Sequence, residues 1–199
     1  ALTAKALGLR SVAENTAVLL PPCIAGFVGA DTVCALLATG LCDGKESALL
    51  ADVGTNGEIA LWHDQKLTVC STAAGPAFEG AGITMGMRGG TGAIDRVQIV
   101  NGALCAHVIG DTAPIGICGS GLIDAIAVGL ELGLLNVRGR IQNTDHIFQL
   151  TEDIYLTQDD IRQVQLAKGA ICAGITLMAK QLGLQIQDIQ KVQLAGAFG

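Results

Sequence analysis

The hydrophobic pattern of the chain predicts strands that are joined by tight turns. An apolar run over residues 48–53 predicts a buried strand, and alternating apolar and polar residues over 58–62 predict a returning strand. The sequence Gly54 to Gly57 between them contains Asn-Gly, which is a strong hairpin signal. A third strand is predicted over 66–70, and a second hairpin turns at Asn101-Gly102.

Helical spacing of apolar residues predicts helices on either side of these strands. The first covers residues 27–41. The clearest helix begins after Thr157, a predicted N-cap, with Asp160 three residues later. Lys168 falls on its apolar stripe, where a lysine either extends its charged end to solvent or reaches a ligand. A last strand is predicted over 191–195. The stripe consists of Ile161, Val164, Ile171, Ile175, Met178 and Leu182.

Composition indicates a packed globular protein and argues against binding to nucleic acid or to a membrane. Half of the 199 residues are hydrophobic, 3% are aromatic and 27 are glycine, which is typical of a core of small residues. The net charge of −6 gives no electrostatic reason to bind nucleic acid or an anionic membrane. The most apolar stretch, residues 115–135, contains Asp124 and Glu131, so we expect no membrane span.

The seven cysteines are widely spaced and contain no Cys-x-x-Cys pair. Most lie in apolar runs, where a free cysteine behaves as a small hydrophobic residue. We therefore expect that the cysteines hold no metal or iron–sulfur cluster within this chain, and we expect a reducing, cytoplasmic compartment. The chain begins at Ala1 without methionine and stops at Gly199 in a glycine-rich turn, so we expect a fragment of a longer protein.

One carboxylate, Asp52, stands at the end of the first predicted strand and is followed by a turn suited to binding phosphate. Gly54 and Gly57 can adopt positive φ, and Asn56 tolerates it, so successive amides can line an anion site. The Thr55 hydroxyl adds a donor. Beside such a turn Asp52 suits a magnesium ion that is bound to phosphate. The alternative is an ordinary Asn-Gly hairpin with a surface aspartate.

Two glycine-rich segments, residues 75–82 and 116–124, open predicted helices. The second contains Gly119-Ser120-Gly121, but Asp124 replaces the third glycine of a dinucleotide fingerprint and Pro114 interrupts the preceding strand. Neither segment has the lysine of a P-loop, so that class of nucleotidase is excluded. Two interpretations of these helix N-termini stay open: binding of an anion, or close packing against a neighbouring element.

The order of these elements resembles the second half of the acetate and sugar kinase, heat-shock chaperone and actin superfamily. Asp52 to Thr55 resembles its second phosphate motif, residues 26–41 its first connecting helix, and residues 194–199 its adenosine motif. The resemblance implies an α/β chain of the ribonuclease H-like fold, with a mixed sheet flanked by helices. It divides the chain into residues 1–44, the end of a first lobe with the connecting helix, and residues 45–199, the second lobe.

Five motifs in order are similar to the reductive activators of corrinoid proteins. Such activators carry a [2Fe–2S] ferredoxin-like domain, a linker and an ATPase-like C-terminal domain. They use ATP to help reduce Co(II) corrinoid to Co(I) on a corrinoid protein of a methyltransferase system. Whether the protein also forms a homodimer is left open by the sequence. The motifs are residues 51–59, 73–80, 116–121, 156–162 and 167–168.

The resemblance also implies roles for individual residues. Asp52 would hold Mg²⁺ through water, and the turn after it would hold the β- and γ-phosphates of ATP. Gly75 and the 119–121 segment would lie at a phosphate or at a lobe contact. The implied nucleotide-binding residues are Gly54, Thr55, Asn56, Gly57, Gly75, Gly119, Ser120, Gly121, Lys168, Gly196 and Gly199.

The departures from the superfamily pattern leave the catalytic acid and the reaction open. Connecting helices of the superfamily often begin at Glu-Pro, whereas this chain has Pro21-Pro22, so Asp31 is the substitute for the acid that positions water. A small-molecule kinase and a non-catalytic nucleotide-binding module remain alternatives. We expect the isolated fragment to be inactive, because the cleft of this superfamily needs both lobes.

Overall fold

A computed structural model of the protein describes residues 2–196. The strands are β1 (Leu2–Thr3), β2 (Ala17–Val18), β3 (Ala48–Val53), β4 (Gly57–His63), β5 (Lys66–Thr72), β6 (Ala93–Val100), β7 (Ala103–Val108), β8 (Gly116–Ile117), β9 (Ile147–Gln149), β10 (Tyr155–Thr157) and β11 (Lys191–Gly196). The α-helices are α1 (Ala30–Thr39), α2 (Gly119–Glu131) and α3 (Gln158–Gln181). Short 3₁₀ helices cover Leu41–Asp43, Pro76–Glu79 and Ile186–Asp188.

The central sheet has the strand order β11-β3-β4-β5. Strands β3, β4 and β5 form an antiparallel meander, whereas β11 is parallel to β3. The parallel pair is possible because α3 crosses over before β11 and returns the chain to the same end of the sheet. The predicted mixed sheet is therefore confirmed.

Helices cover both faces of the central sheet, and the alternation of side chains along the strands explains why. On one face Leu50 and Ala60 pack with Leu36 of α1. On the other face Leu49 and Ile59 pack in a cluster that includes Met178 of α3. Neighbouring strand residues point to opposite faces, so an unbroken apolar run on β3 supplies both layers. The α/β class and the flanking helices are therefore confirmed.

A second sheet with the order β7-β6-β8 lies between β5 and α3 in the sequence. Helix α2 packs on β6, and their core contains Ile94, Leu122 and Ala125, each fully buried. Ile161 of α3 joins the same core. The first half of α3 thus supports this second layer, and its second half supports the central sheet.

The predicted N-terminus of α3 is confirmed as a capping box. The Thr157 hydroxyl accepts the Asp160 amide at 3.2 Å, and the Asp160 carboxylate accepts the Thr157 amide at 2.8 Å. The other oxygen of Asp160 accepts the Thr84 amide at 2.7 Å. Asp160 is only 2% exposed, so this carboxylate fixes the loop around Thr84 to the start of α3.

Local signals account for most element boundaries. The predicted hairpin turn at Asn101 and Gly102 is present, with φ of 52° and 80°. The predicted helix over 27–41 is shorter, because Gly29 is extended and Gly40 ends the helix with φ of 58°. Within residues 2–196, none of the helices combines the length and the apolar character that crossing a membrane requires.

Candidate functional site

Asp52 stands near the carboxyl end of β3, between two neighbouring strands. It lies opposite Ala195 of the parallel strand β11 and opposite Glu58 of the antiparallel strand β4. Because β3 and β11 end at the same edge of the sheet, the residues that follow both strands meet there. The strand pairing therefore brings the predicted phosphate motif and the beginning of the predicted adenosine motif together.

The surroundings of Asp52 disfavour its charged form. Burial of the carboxyl group raises its pKa above the ordinary value, and the negative charges of Asp31 and Glu58 raise the pKa further. The two acids come from different elements, α1 and β4. Three carboxylates therefore act on one small region, and a cation placed there would lower the repulsion between them.

The turn after Asp52 differs from the predicted anion-binding turn. None of residues 54–57 adopts the positive φ that their residue types permit. Gly57 has joined β4 opposite Val53, and the Gly54 amide donates to the Asn56 carbonyl at 3.0 Å. The expectation of a row of free amides in positive-φ geometry is wrong for Gly54, because the hairpin uses this amide internally.

Gly57 is a packing residue in this structure. A Cβ atom at this position would lie 2.7 Å from Thr72 Oγ1 and 2.8 Å from Ile171 Cγ1. Gly174 of α3 is equally restricted, since its Cβ would lie 2.5 Å from Thr72 Cγ2. These two glycines let α3 approach the hairpin closely and so fix the position of the phosphate motif against the helix.

Thr55 contacts the second glycine-rich motif. Its hydroxyl donates a hydrogen bond of 2.7 Å to Glu79 Oε1, at the end of the 3₁₀ helix Pro76–Glu79. This contact joins two segments that the sequence analysis treated separately, the turn after Asp52 and the motif over 73–80. Both side chains are exposed, so the contact lies at the surface of the site.

Asp31 lies in the first turn of α1, and its Oδ1 accepts the Thr32 amide at 2.8 Å. Its negative charge is one of the causes, after burial, of the raised pKa of Asp52. The neighbouring Thr32 is 1% exposed, and its hydroxyl has no hydrogen-bond partner within residues 2–196. The charge of Asp31 contributes to the raised pKa of Asp52, and the role of Asp31 at this site stays a prediction.

Gly196 at the end of β11 is adjacent to Asp52. It adopts a φ of +81°, and a Cβ atom there would lie 2.5 Å from Asp52 Oδ1 and 2.7 Å from the Val53 carbonyl oxygen. Gly196 is therefore required both by its backbone conformation and by the space that Asp52 occupies. The predicted site residue Gly199 lies outside the described residues.

Lys168 lines an apolar cavity of about 400 Å³ between α3 and β11. Val53 at the end of β3 and Leu194 of β11 line the same cavity, together with Ile171 and Ile175 of α3. The side chain of Lys168 is exposed, while Ala167 is buried in the core and Ile171 packs against that core. The geometry therefore places Lys168 beside the strand that leads to Gly196.

Gly119 and Ser120 line a second cavity of about 470 Å³. Glu79 and Arg88 line the same cavity. The Ser120 hydroxyl donates to the Asp95 carbonyl at 2.8 Å, which holds the first turn of α2 against β6. The cavity therefore connects the N-terminus of α2 with the segment that contacts Thr55.

The remaining predicted glycines have different environments. A Cβ atom at Gly121 would contact the Ile94 carbonyl, so this glycine permits close packing of α2 on β6. Gly75 adopts a φ of 78°, and a Cβ there would have no atom within 4 Å. Close packing, the alternative that the sequence left open, explains Gly121, whereas backbone conformation explains Gly75.

Three charged residues of the site had no role in the sequence analysis: Glu58, Glu79 and Arg88. The register of the hairpin contained the signal for Glu58, because a turn between Val53 and Gly57 places Glu58 opposite Asp52. No local signal pointed to the contact of Glu79 with Thr55, since the two residues are 24 positions apart.

The cysteines do not gather into a metal site. Within residues 2–196 there is no group of three or more His, Cys, Asp or Glu side chains that could hold a metal ion. All seven cysteines are free thiols, and Cys118 is the buried one. A cation near Asp52 would therefore need oxygen ligands from water or from a bound phosphate as well as from protein carboxylates.

Comparisons with known proteins identify the family and several relatives of the chain. Residues 46–199 match the family model described as the C-terminal domain of RACo, the ASKHA domain. The chain is 44% identical over 204 residues to the corrinoid activation enzyme RamQ of Eubacterium limosum, which covers 89% of this chain and 34% of RamQ. It is 31% identical to the [Co(II) methylated amine-specific corrinoid protein] reductase of Methanosarcina barkeri, covering 94% of this chain and 38% of the reductase.

A solved structure supports the same fold. The reductive activator for corrinoid, iron–sulfur protein superimposes with a TM-score of 0.78 at 37% identity. The match covers 90% of this chain and 32% of that protein. The chain thus spans about a third of the length of the relatives that it matches.

Proposed function

Because the chain belongs to the family described as the C-terminal ASKHA domain of RACo, which implies nucleotide binding, we propose that it binds ATP within a reductive activator of a corrinoid protein. Its relatives are named as activators or reductases of corrinoid proteins. The observation that carries the proposal is the arrangement at the end of β3, where Asp52 adjoins a Gly-Thr turn and Gly196 of β11.

Asp52 fits a Mg²⁺ ion whose remaining ligands are oxygens of water and of a bound phosphate. The pKa of Asp52 is raised by burial and by the charges of Asp31 and Glu58, so a divalent cation would offset a repulsion that the fold builds in. We assign Asp52 as the residue that would hold Mg²⁺ through water. When bound, the ion would neutralise phosphate charge.

The phosphates would lie over the turn after Asp52, with Thr55 and Asn56 as side-chain contacts. Gly54 and Gly57 shape that turn, and Gly119 and Ser120 would lie at the far side of the second cavity, at a phosphate or a lobe contact. The adenosine side is assigned to Lys168, Gly196 and Gly199. Support comes from the cavity that Lys168 shares with the end of β11.

Asp31 is our candidate for the acid that positions a water molecule for ATP hydrolysis. Its place in the first turn of α1 and its effect on the pKa of Asp52 support this role. In this proposal residues 1–44 are the end of a first lobe with α1 as the connecting helix, and residues 45–199 are the second lobe. Catalysis would then consist mainly of positioning and charge neutralisation.

ATP would serve a redox reaction at a partner protein. One electron reduces the Co(II) corrinoid substrate to Co(I), while a donor outside residues 2–196 loses one electron; a [2Fe–2S] cluster in another domain is our candidate donor. A nucleotide can favour the reducible complex only by the difference in its affinity for two conformations. Free thiols at all seven cysteines support a reducing, cytoplasmic compartment.

The test follows Co(I) by its absorbance, using the intact protein, a Co(II) corrinoid protein and a reductant. We expect Co(I) formation to depend on ATP. Asp52→Asn should lower the ATP-dependent rate about 100-fold, or about 3 kcal/mol of transition-state stabilisation. Asp153→Asn, which removes an exposed carboxylate of the β9–β10 turn, is the matched control and should leave the rate unchanged.

Three other results would contradict the proposal. Equal Co(I) formation without ATP would remove the role of the nucleotide in reduction. A phosphorylated small metabolite would identify a kinase of the same superfamily. Binding of ATP without turnover, with or without the corrinoid partner, would identify a non-catalytic nucleotide-binding module.

A further inference from the structure

The Thr55 hydroxyl is already used as a donor within the protein. It donates to Glu79 Oε1 over 2.7 Å, a short distance that is typical of a hydrogen bond to a carboxylate. A threonine hydroxyl has a single hydrogen to donate. A phosphate oxygen that uses this donor must therefore replace the Glu79 carboxylate.

Glu79 is held at this position by the segment around it. The preceding residue of the 3₁₀ helix, Phe78, is buried in the core of the second layer, whereas Glu79 is exposed. Gly80 follows with a φ of 78°, and its Cβ would lie 2.5 Å from the Met87 carbonyl oxygen. The backbone on both sides is fixed, so Glu79 can leave Thr55 by rotation of its side chain alone.

The cavity of about 470 Å³ that Glu79 lines also contains a cationic side chain. Arg88 lines the same cavity, is exposed, and forms no ion pair within residues 2–196. The other charged group of the cavity is Asp95, and its carboxylate is paired with His107 at 2.6 Å. Arg88 is therefore the cation available to a carboxylate that leaves Thr55.

We propose that Glu79 occupies the place of a phosphate oxygen on Thr55, and that a bound nucleotide phosphate displaces its carboxylate toward Arg88. This inference rests on the proposed function, in which Thr55 contacts phosphate. Glu79 then sets the nucleotide affinity, because the fraction of molecules with a free Thr55 donor scales the apparent dissociation constant. The same displacement carries nucleotide binding from the hairpin to the cavity at the N-terminus of α2.

The test measures Mg–ATP binding to the intact protein by calorimetry. Glu79→Gln removes the charge that repels phosphate and competes for Thr55, so we expect binding about three- to tenfold tighter. Arg88→Gln removes the partner of the displaced carboxylate, so we expect binding weaker by a similar factor. Glu131→Gln and Arg96→Gln remove exposed charges outside the cavity and should each change the affinity less than twofold.

The double variant Glu79→Gln with Arg88→Gln separates this coupling from direct contact of Arg88 with phosphate. We expect the Arg88 effect to disappear when Glu79 is already neutral. A full Arg88 effect in the double variant would overturn the proposal, and so would unchanged or weaker binding by Glu79→Gln. Absence of Mg–ATP binding by the wild-type protein would overturn the proposed function itself, and this inference with it.

Discussion

The contact between Gly196 and Asp52 permits a direct test of the site geometry by replacing Gly196 with alanine. Gly196 has a φ of +81°, and the added Cβ would lie 2.5 Å from Asp52 Oδ1 and 3.1 Å from the Val53 amide nitrogen. Two penalties therefore combine, one from the left-handed backbone and one from contacts with the carboxylate and the strand. Gly183→Ala separates them, because Gly183 has a φ of +75° and its Cβ would have no atom within 4 Å.

The geometry sets the size of each penalty. A residue other than glycine in the left-handed region costs about 1–2 kcal/mol, and both variants carry that cost. Overpacking typically costs about 1–3 kcal/mol more, and only Gly196→Ala carries that cost. We therefore expect Gly196→Ala to lower the free energy of unfolding by about 1–3 kcal/mol more than Gly183→Ala. We expect the activity of the site to fall as well, because the added Cβ atom can be accommodated only if Asp52 or Val53 moves.

Urea unfolding of the 199-residue chain, followed by the fluorescence of its single tryptophan, measures this difference. Equal m-values for the two variants would show that they unfold from comparable folded states. ATP-dependent Co(I) formation in the intact protein should decline with Gly196→Ala and persist with Gly183→Ala. If the two variants differ in stability by less than about 0.5 kcal/mol, the close approach of β11 to Asp52 is refuted.

Two further predictions concern carboxylates. Asp160→Ala removes the acceptor of the Thr84 and Thr157 amides from a buried site, so we expect a loss of at least about 3 kcal/mol in the free energy of unfolding, measured in urea. Asp159→Ala, an exposed acid of the same helical turn, should cost about 0.5 kcal/mol, and equal losses would contradict this account. Asp52→Asn should stabilise the chain at neutral pH without Mg²⁺, as shown by a higher urea midpoint.

The longer strands and the three α-helices could be predicted because their signals are local, whereas the short strands β1 and β9 were not predicted. The apolar run over 48–53 matches β3, and the capping signal at Thr157 marks the start of α3. The order of these elements was enough to identify the α/β fold and its flanking helices. The mixed sheet was implied by the resemblance to the superfamily, and helix α3, which lies between β5 and β11, permits its parallel pair.

The roles of individual glycines could not be predicted, because they depend on atoms that are distant in sequence. Gly57 has the residue type of a phosphate-binding turn, yet Thr72 and Ile171 are what require it to lack a side chain. Gly121 likewise must lack a side chain because the Ile94 carbonyl oxygen lies where its Cβ atom would be. Periodicity and turn chemistry describe what a glycine permits, while tertiary packing decides which of those possibilities the fold uses.

The charged form of Asp52 lowers the stability of the folded chain, although the proposed function requires that charge to hold a cation. Burial, followed by the charges of Asp31 and Glu58, raises its pKa above the unfolded value of 3.8, so the folded chain binds a proton more readily than the unfolded chain. Stability therefore falls as pH rises from about 3.8 through the raised pKa, and Asp52→Asn removes this loss. A cation that binds only the folded protein reverses the balance by mass action.

Mg²⁺ with ATP should consequently raise the urea midpoint of the wild-type intact protein and not that of Asp52→Asn. A hairpin carboxylate with no part in binding would behave differently, because both proteins would respond equally to Mg²⁺ and ATP. The same result would follow if Asp31 or Glu58 held the ion without Asp52. Asp52→Asn should be more stable than the wild-type protein without Mg²⁺ and ATP, and less stable than the wild-type protein with them. That result would assign the binding role to Asp52 itself.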